Sequence, residues 1–366
     1  MFRPHQAGLS ARCRPLLSWR APSPSRRPPT ARRVSPRSIA VALVVLSACT
    51  APAVAAPPPR ANGPLTFVGL LRTDDPSTPF KWRRFTVGPS GRSLRSEPVH
   101  ALVMNLVASP DGRRIAYQYG SNVYVARRDG GRARRVAAHA TDPSWAPDGE
   151  RLVYAQVALD LPTQQVDGGL IVTRVDGRGK HRLTRGSDRL PAWSPDGSTI
   201  AFVRDRSEHG CDGASSLYVT RPRGRPRRLF APGYSCGSVG RPAWSPLGDR
   251  LVVTLGRALS ELLGDEERDH STDARAEARV GINTLRADGT HRRRLTTRNG
   301  DSPVWSPDGR QIAYHAHLST CTGDQAAGDA VCATTPRGSA RTIVAMPTAF
   351  SGALGLTWLP KPQPRT

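Results

Sequence analysis

The chain has 366 residues, of which 53 are Lys or Arg and 29 are Asp or Glu, for a formal net charge of +24. Nearly all the basic residues are Arg; along the sequence they are scattered and resemble no nucleic-acid-binding module, so no nucleic-acid partner is expected. A basic surface favours anionic partners such as phospholipid headgroups or cell-wall polymers, and a GC-rich genome that spells basic residues as Arg produces the same excess.

Residues 1–49 contain nine Arg and no Lys, Asp or Glu, and end in the apolar run "SIAVALVVLSAC" from Ser38 to Cys49. A basic segment followed by a short apolar one is the pattern of an export signal. The run is shorter than the roughly 20 residues a membrane-spanning helix needs. Its end, Leu46-Ser47-Ala48-Cys49, resembles the lipobox of bacterial lipoproteins. That resemblance implies lipid attachment at Cys49 and a protein held on the outer side of the cytoplasmic membrane. Cleavage after Ala53-Val54-Ala55, releasing a secreted protein, is the other open reading. Residues 50–64 are rich in Pro and Ala and read as a tether; residues 65–360 carry the fold, and 361–366 a short tail.

From there a phrase recurs: "LVASPDGRRIAYQY" at 106, "PSWAPDGERLVYAQ" at 143, "PAWSPDGSTIAFVR" at 191, "PAWSPLGDRLVVTL" at 242 and "SPVWSPDGRQIAYH" at 302. Aligned three residues before the Asp-Gly pair, the copies start at Ala108, Trp145, Trp193, Trp244 and Trp305, with a truncated copy at Trp358. Intervals of 37, 48, 51, 61 and 53 residues are those of a solenoid or propeller, and the units are β-rich. In the third unit, Pro191–Ser194 reads as a first strand and Thr199–Val203 as a second, joined by a tight turn at Asp196-Gly197. Ser216–Thr220 and Pro226–Phe230 are the third and fourth strands. Four antiparallel strands make a propeller blade. The second strands, such as Ile200-Ala201-Phe202, are apolar on both faces, which suits sheets sandwiched between neighbours. Trp145, Trp193, Trp244, Trp305 and Trp358 are therefore expected to pack between blades, and Asp111, Asp148, Asp196 and Asp308 to serve turns.

The "WSPDGxxIAF" units resemble the WD40-like repeats of the TolB-type six-bladed β-propeller, over roughly residues 65–360. The resemblance implies an all-β fold of six four-stranded blades. The sixth blade combines strands at 64–72, 83–88 and near Ser93–Ser96 with an innermost strand at Trp358 from the other end of the chain. It also implies that the Asp-Gly turns share one compact end. The long segments 155–168, 204–215, 256–280 and 315–329 then lie at the other end, where function is expected. A TolB carries an α/β domain before its propeller where only about 15 residues stand here, so the generic scaffold role alone carries over.

Once Cys13 and Cys49 are set aside, four cysteines remain, which in an exported chain read as disulfides. Proximity favours Cys211–Cys236 and Cys321–Cys332, and the implied architecture puts all four at the loop-rich end. His315 and His317 alternate onto one face at a strand end and are weak metal candidates without a third ligand. Residues 260–279 gather five acids between Asp265 and Asp273, the reading being a solvated loop. No G-x-S-x-G or H-E-x-x-H motif occurs, and no cofactor or catalytic residue is assigned. The expected function is a cell-envelope scaffold that docks a protein partner through its channel mouth and loops, more a binding protein than an enzyme. A polysaccharide- or sugar-acting enzyme with a channel-mouth site, and a non-catalytic glycan or small-molecule binder, are the alternatives.

Overall fold

The computed structural model describes residues 60–72, 80–88, 93–98, 103–157, 168–205, 214–232, 237–257, 281–296, 300–317, 329–338, 340–345 and 350–361. Among these residues the fold is all-β, with six antiparallel sheets that form the six blades of a propeller. Blade 1 comprises β4 (Val103–Ala108), β5 (Arg114–Tyr119), β6 (Asn122–Arg127) and β7 (Arg134–Ala138). Blade 2 comprises β8 (Ala140–Trp145), β9 (Arg151–Gln156), β10 (Gly169–Arg174) and β11 (His181–Arg182). Blade 3 comprises β12 (Asp188–Trp193), β13 (Ile200–Asp205), β14 (Ser215–Thr220) and β15 (Arg227–Phe230). In blade 4 the innermost strand is split into β16 (Gly237–Val239) and β17 (Ala243–Trp244), which both pair with β18 (Arg250–Arg257). β19 (Gly281–Arg286) and β20 (Arg293–Arg294) complete that sheet. Blade 5 is β21 (Gly300–Trp305), β22 (Ile312–His317), β23 (Asp329–Thr334) and β24 (Ala340–Ala345).

Blade 6 closes the ring. Its order is β25 (Phe350–Pro360), β1 (Asn62–Arg72), β2 (Phe80–Val87) and β3 (Leu94–Pro98), so strands from the two ends of the chain pair in one sheet. Leu65 faces Trp358 and Thr66 faces Thr357 across that pair, and Lys361 N donates to Ala61 O at 3.2 Å. The closure leaves no open strand edge between first and last blades.

The second strands are buried on both faces, as their apolar runs require. Leu152 and Val153 are 0% exposed and Tyr154 1%, and Ile200, Ala201 and Phe202 are all 0%. Each blade packs on the next through these residues: Phe202 and Ile200 join Val153, Leu170 and Trp193 in one cluster. In the next, Val253 and Leu255 join Val203 and Leu217. Burying one such side chain contributes on the order of 2 kcal/mol.

The Asp-Gly turns repeat one hydrogen-bond scheme. Ser194 Oγ donates to Asp196 Oδ1 at 2.5 Å and accepts from Thr199 N at 2.9 Å, while Asp196 Oδ1 accepts from Ser198 N at 3.0 Å. Ser109 with Asp111 and Ser306 with Asp308 do the same. Glycine is required here for two reasons. Gly197 has φ +74°, and a Cβ on it would stand 3.1 Å from Pro147 Cγ of the preceding blade's turn. The turns thereby nest in a ring, each glycine against its predecessor's proline: Gly112 on Pro360, Gly149 on Pro110, Gly248 on Pro195 and Gly309 on Pro246.

Candidate functional site

The tryptophans are wedges between blades. Trp145 Nε1 donates to Val107 O of blade 1 at 3.1 Å, and Trp244 Nε1 to Ala192 O of blade 3 at 3.0 Å. Trp358 Nε1 donates to Gly63 O at 3.0 Å within the closing sheet, and Trp193 Nε1 to Gly197 O at 3.2 Å in its own turn. Sequence reasoning missed their cationic partners. Arg114 of blade 1 lies 5.3 Å over the Trp145 ring, and Arg151 of blade 2 lies 5.1 Å over Trp193. The Arg two residues after Asp-Gly in "DGRR" and "DGER" was the available signal.

Inside the ring, the innermost strands enclose a cavity of about 410 Å³. Its walls start at Asn105, Pro143, Pro191, Arg241, Ser302 and Gly355 and run toward the following turns, including Pro110, Pro195, Pro246 and Pro307. The cavity therefore sits toward the compact end. The long connections expected to carry function belong to the opposite end; most of their length, with Cys211, Cys236 and Cys321, lies outside the described residues. So do Cys49 and the residues before Arg60, and all of 260–279. Cys332, in β23, is disulfide-bonded and fully buried.

The inner end of the cavity is set by a backbone irregularity that every innermost strand shares. Each interrupts its pairing three residues before the repeat position, where Asn105, Asp142, Leu190 and Ser302 have φ between +51° and +53° and Gly355 has +63°. In blade 4 the strand breaks outright around Arg241. A left-handed residue other than glycine costs on the order of 1 kcal/mol, so six aligned interruptions are a property of the architecture. Three side chains of this column, from blades 1, 2 and 4, meet one another. Arg241 of blade 4 donates to Asp142 Oδ1 of blade 2 at 2.5 Å, and Asn105 Nδ2 of blade 1 donates to the same oxygen at 2.9 Å. Asn105 Nδ2 also reaches Gln118 Oε1 at 2.9 Å, and Thr141 Oγ1 donates to Asp142 Oδ2 at 3.1 Å. The Asp142 carboxylate is thus held by three side chains. The signal for this belt was the alignment column itself: Asn, Asp, Leu, Arg, Ser and Gly stand where neighbouring columns repeat.

His315 sits elsewhere, in blade 5 and 9% exposed, with Nδ1 3.5 Å from Asp301 Oδ1 and Nε2 3.8 Å from Asp329 Oδ2. Burial opposes its charged form, but the two carboxylates outweigh that and raise its pKa above the usual imidazole value. Both ring nitrogens face carboxylates, an arrangement of a charged pair network. His317 shares β22, and among the described residues no three His, Cys, Asp or Glu side chains are grouped as a metal site.

A six-bladed propeller with TolB-like architecture is the class these features define. No family model matches the sequence. TolB from Acinetobacter baumannii superposes with a TM-score of 0.58 at 17% identity, covering 82% of this chain and 67% of that one. A putative TolB from Agrobacterium tumefaciens gives 0.54 at 16% identity, over 80% and 92% of the two chains. In sequence, 201 residues are 27% identical to the Bacillus subtilis protein named uncharacterized peptidase YuxL, covering 49% of this chain. The chain spans 30% of that relative's length.

Proposed function

We propose that the protein is a binding propeller of the cell envelope, exported, anchored at Cys49, and docking a protein partner through its channel mouth and loops. The observation that carries the reading is the state of the channel's charged groups. Arg241 and Asn105, which line the cavity, are both tied to Asp142, which suits a rigid wall that holds a segment. The cavity is concave and largely apolar with a few convergent polar groups, the character of a recognition site. Leu247, which takes the place of the turn Asp in blade 4, is 59% exposed beside the cavity-lining Pro246. It offers an apolar contact at the rim. The TolB likeness supports the same envelope setting at the level of architecture.

Photo-crosslinking in the native envelope tests this. Benzoylphenylalanine at Leu247, and separately within 256–280, is expected to trap one dominant protein at one or both positions. Absence of a protein adduct at both, with turnover of an envelope glycan by the purified chain, would overturn the reading in favour of an enzyme.

A further inference from the structure

The basic residues that look scattered in the sequence are gathered by the fold. Turns between third and fourth strands lie at the compact end, and in blades 1, 2 and 4 each is bonded to the strand one-to-two turn of its own blade: Arg128 N to Arg113 O, Val175 N to Glu150 O and Ala287 N to Asp249 O, all 2.9 Å. In blades 1 to 4 these hairpins are residues 127–135, 174–182, 221–228 and 286–294. Together they hold 18 Lys or Arg and three Asp or Glu. The other residues from Thr50 onward hold 26 basic and 26 acidic side chains. The whole net charge of the chain after the signal therefore lies in four hairpins at one end of the molecule. A genome-wide preference for Arg codons gives no reason for that placement.

Sixteen of the 18 basic side chains are exposed, and Arg128 and Arg294 are half-buried. The few acids among them are committed to their own turns: Asp129 Oδ1 accepts from Gly131 N, Asp176 Oδ1 from Arg178 N and Asp288 Oδ1 from Thr290 N, at 2.8–2.9 Å. In blade 3 the corresponding position is Arg223, so 221–228 carries five Arg and no acid. None of those five takes part in the Arg–carboxylate ion pairs of the described residues. Arg221, Arg225 and Arg227 line a hollow of about 540 Å³ with Ser198 and Thr220; Asp196 also borders it, tied to Ser194 and Ser198.

The chain enters the propeller at this same end. Arg60 N donates to Pro307 O at 2.9 Å and Asp308 N to Asn62 Oδ1 at 3.1 Å, both on an Asp-Gly turn. From Arg60 back to Thr50, next to Cys49, is 11 residues, a reach of about 35–40 Å when extended. We infer that this basic crescent is a docking surface for anionic phospholipid headgroups, which sets the outer hairpins of blades 1 to 4 against the membrane. A polybasic patch adds its own attraction to anionic headgroups and orients a protein already held by its lipid. The crescent acts with the Cys49 anchor of the proposed function but binds on its own charge.

Vesicle co-sedimentation tests it with residues 50–366, which carry every strand of the ring, nearly all of it within one compact unit. The protein is expected to bind phosphatidylglycerol-containing vesicles at about 0.15 M salt, to be released near 1 M salt, and to ignore pure phosphatidylcholine. Replacing Arg223, Arg225 and Arg227 together by Gln, all exposed and checked for unchanged thermal unfolding, is expected to lower partitioning about 100-fold. Equal binding to both vesicles, or an unchanged triple variant, overturns the inference. Binding to soluble poly(glycerol phosphate) with none to the vesicles also overturns it and assigns the crescent to a wall polymer. Acylation of Cys49 is read separately, by mass spectrometry of the exported chain, so either result stands without the other.

Discussion

Replacing Asp142 by Ala removes the acceptor on which the channel belt converges. Arg241 and Asn105 both donate to its Oδ1, at 2.5 and 2.9 Å, and the side chains of Asp142 and Arg241 are 10% and 22% exposed. A charge-assisted hydrogen bond contributes about 1.5–3 kcal/mol, and a donor left buried costs about 1–3. Partial exposure of Arg241 lets water recover part of this, which brings the side-chain loss to about 2 kcal/mol. Asp142 also has φ +53°, where Ala is worse tolerated than Asp by about 1 kcal/mol. The expected destabilisation is thus about 3 kcal/mol, read by urea unfolding. Asp142→Asn keeps an acceptor and the tolerance for this conformation, and is expected to cost about half as much. A double-mutant cycle with Arg241→Ala should return a coupling of at least about 1 kcal/mol. Equal losses for the Ala and Asn variants, or additivity with Arg241→Ala, would refute the claim that the carboxylate ties blade 2 to blade 4.

Other consequences of the geometry are open to direct measurement. His315, its pKa raised by Asp301 and Asp329, stabilises the fold fully below the ordinary imidazole pKa near 6.5, and that contribution disappears as pH rises through the higher folded value. The gap in thermal unfolding between His315→Asn and the parent should therefore narrow from pH 5 to 9; a constant gap would contradict the pairing. At Asp196, burial works against ionisation, yet bonds from Ser194 and Ser198 hold the carboxyl below its usual pKa; Asp111 and Asp308 behave alike. Their stabilisation is present above the unfolded value near 3.9 and is lost as pH falls through the lower folded values, so the stability gap between Asp196→Ala and the parent should narrow as pH falls below about 3.9, and a constant gap would contradict the bonding. Gly169→Ala, at φ +125° with its Cβ 2.3 Å from Thr184 O, should cost well over 2 kcal/mol in urea unfolding. Gly186→Ala, at φ +95° with nothing within 4 Å, should cost only about 1–2; equal losses would show the contact to be immaterial.

The blades were legible because their signals are local. Apolar triplets such as Ile200-Ala201-Phe202 between Gly-containing turns specify strands buried on both faces, and the split sixth blade follows from counting repeats. The belt was not legible in the same way. Leu190 adopts φ +53° within a strand, a conformation its own chemistry disfavours, because the innermost strand interrupts its pairing between Arg189 and Ala192. Nor was the basic crescent: its four clusters are separated along the chain by whole blades, and only the ring brings their exposed ends to one side. The expectation that function gathers at the elaborated end rested on loop length, whereas the cavity formed by the described residues lies toward the compact end.

The pairing of β1 with β25 has a temporal meaning as well. Leu65 meets Trp358 only after every other strand of the ring has been synthesised, so the first strands made wait unpaired on one side while blades 1 to 5 assemble. Such a contact, nearly the full length of the fold apart in sequence, is slow to form and exposes a sheet edge until it does. The ring therefore cannot be closed until its final strand has been made, and that strand alone completes the sixth blade.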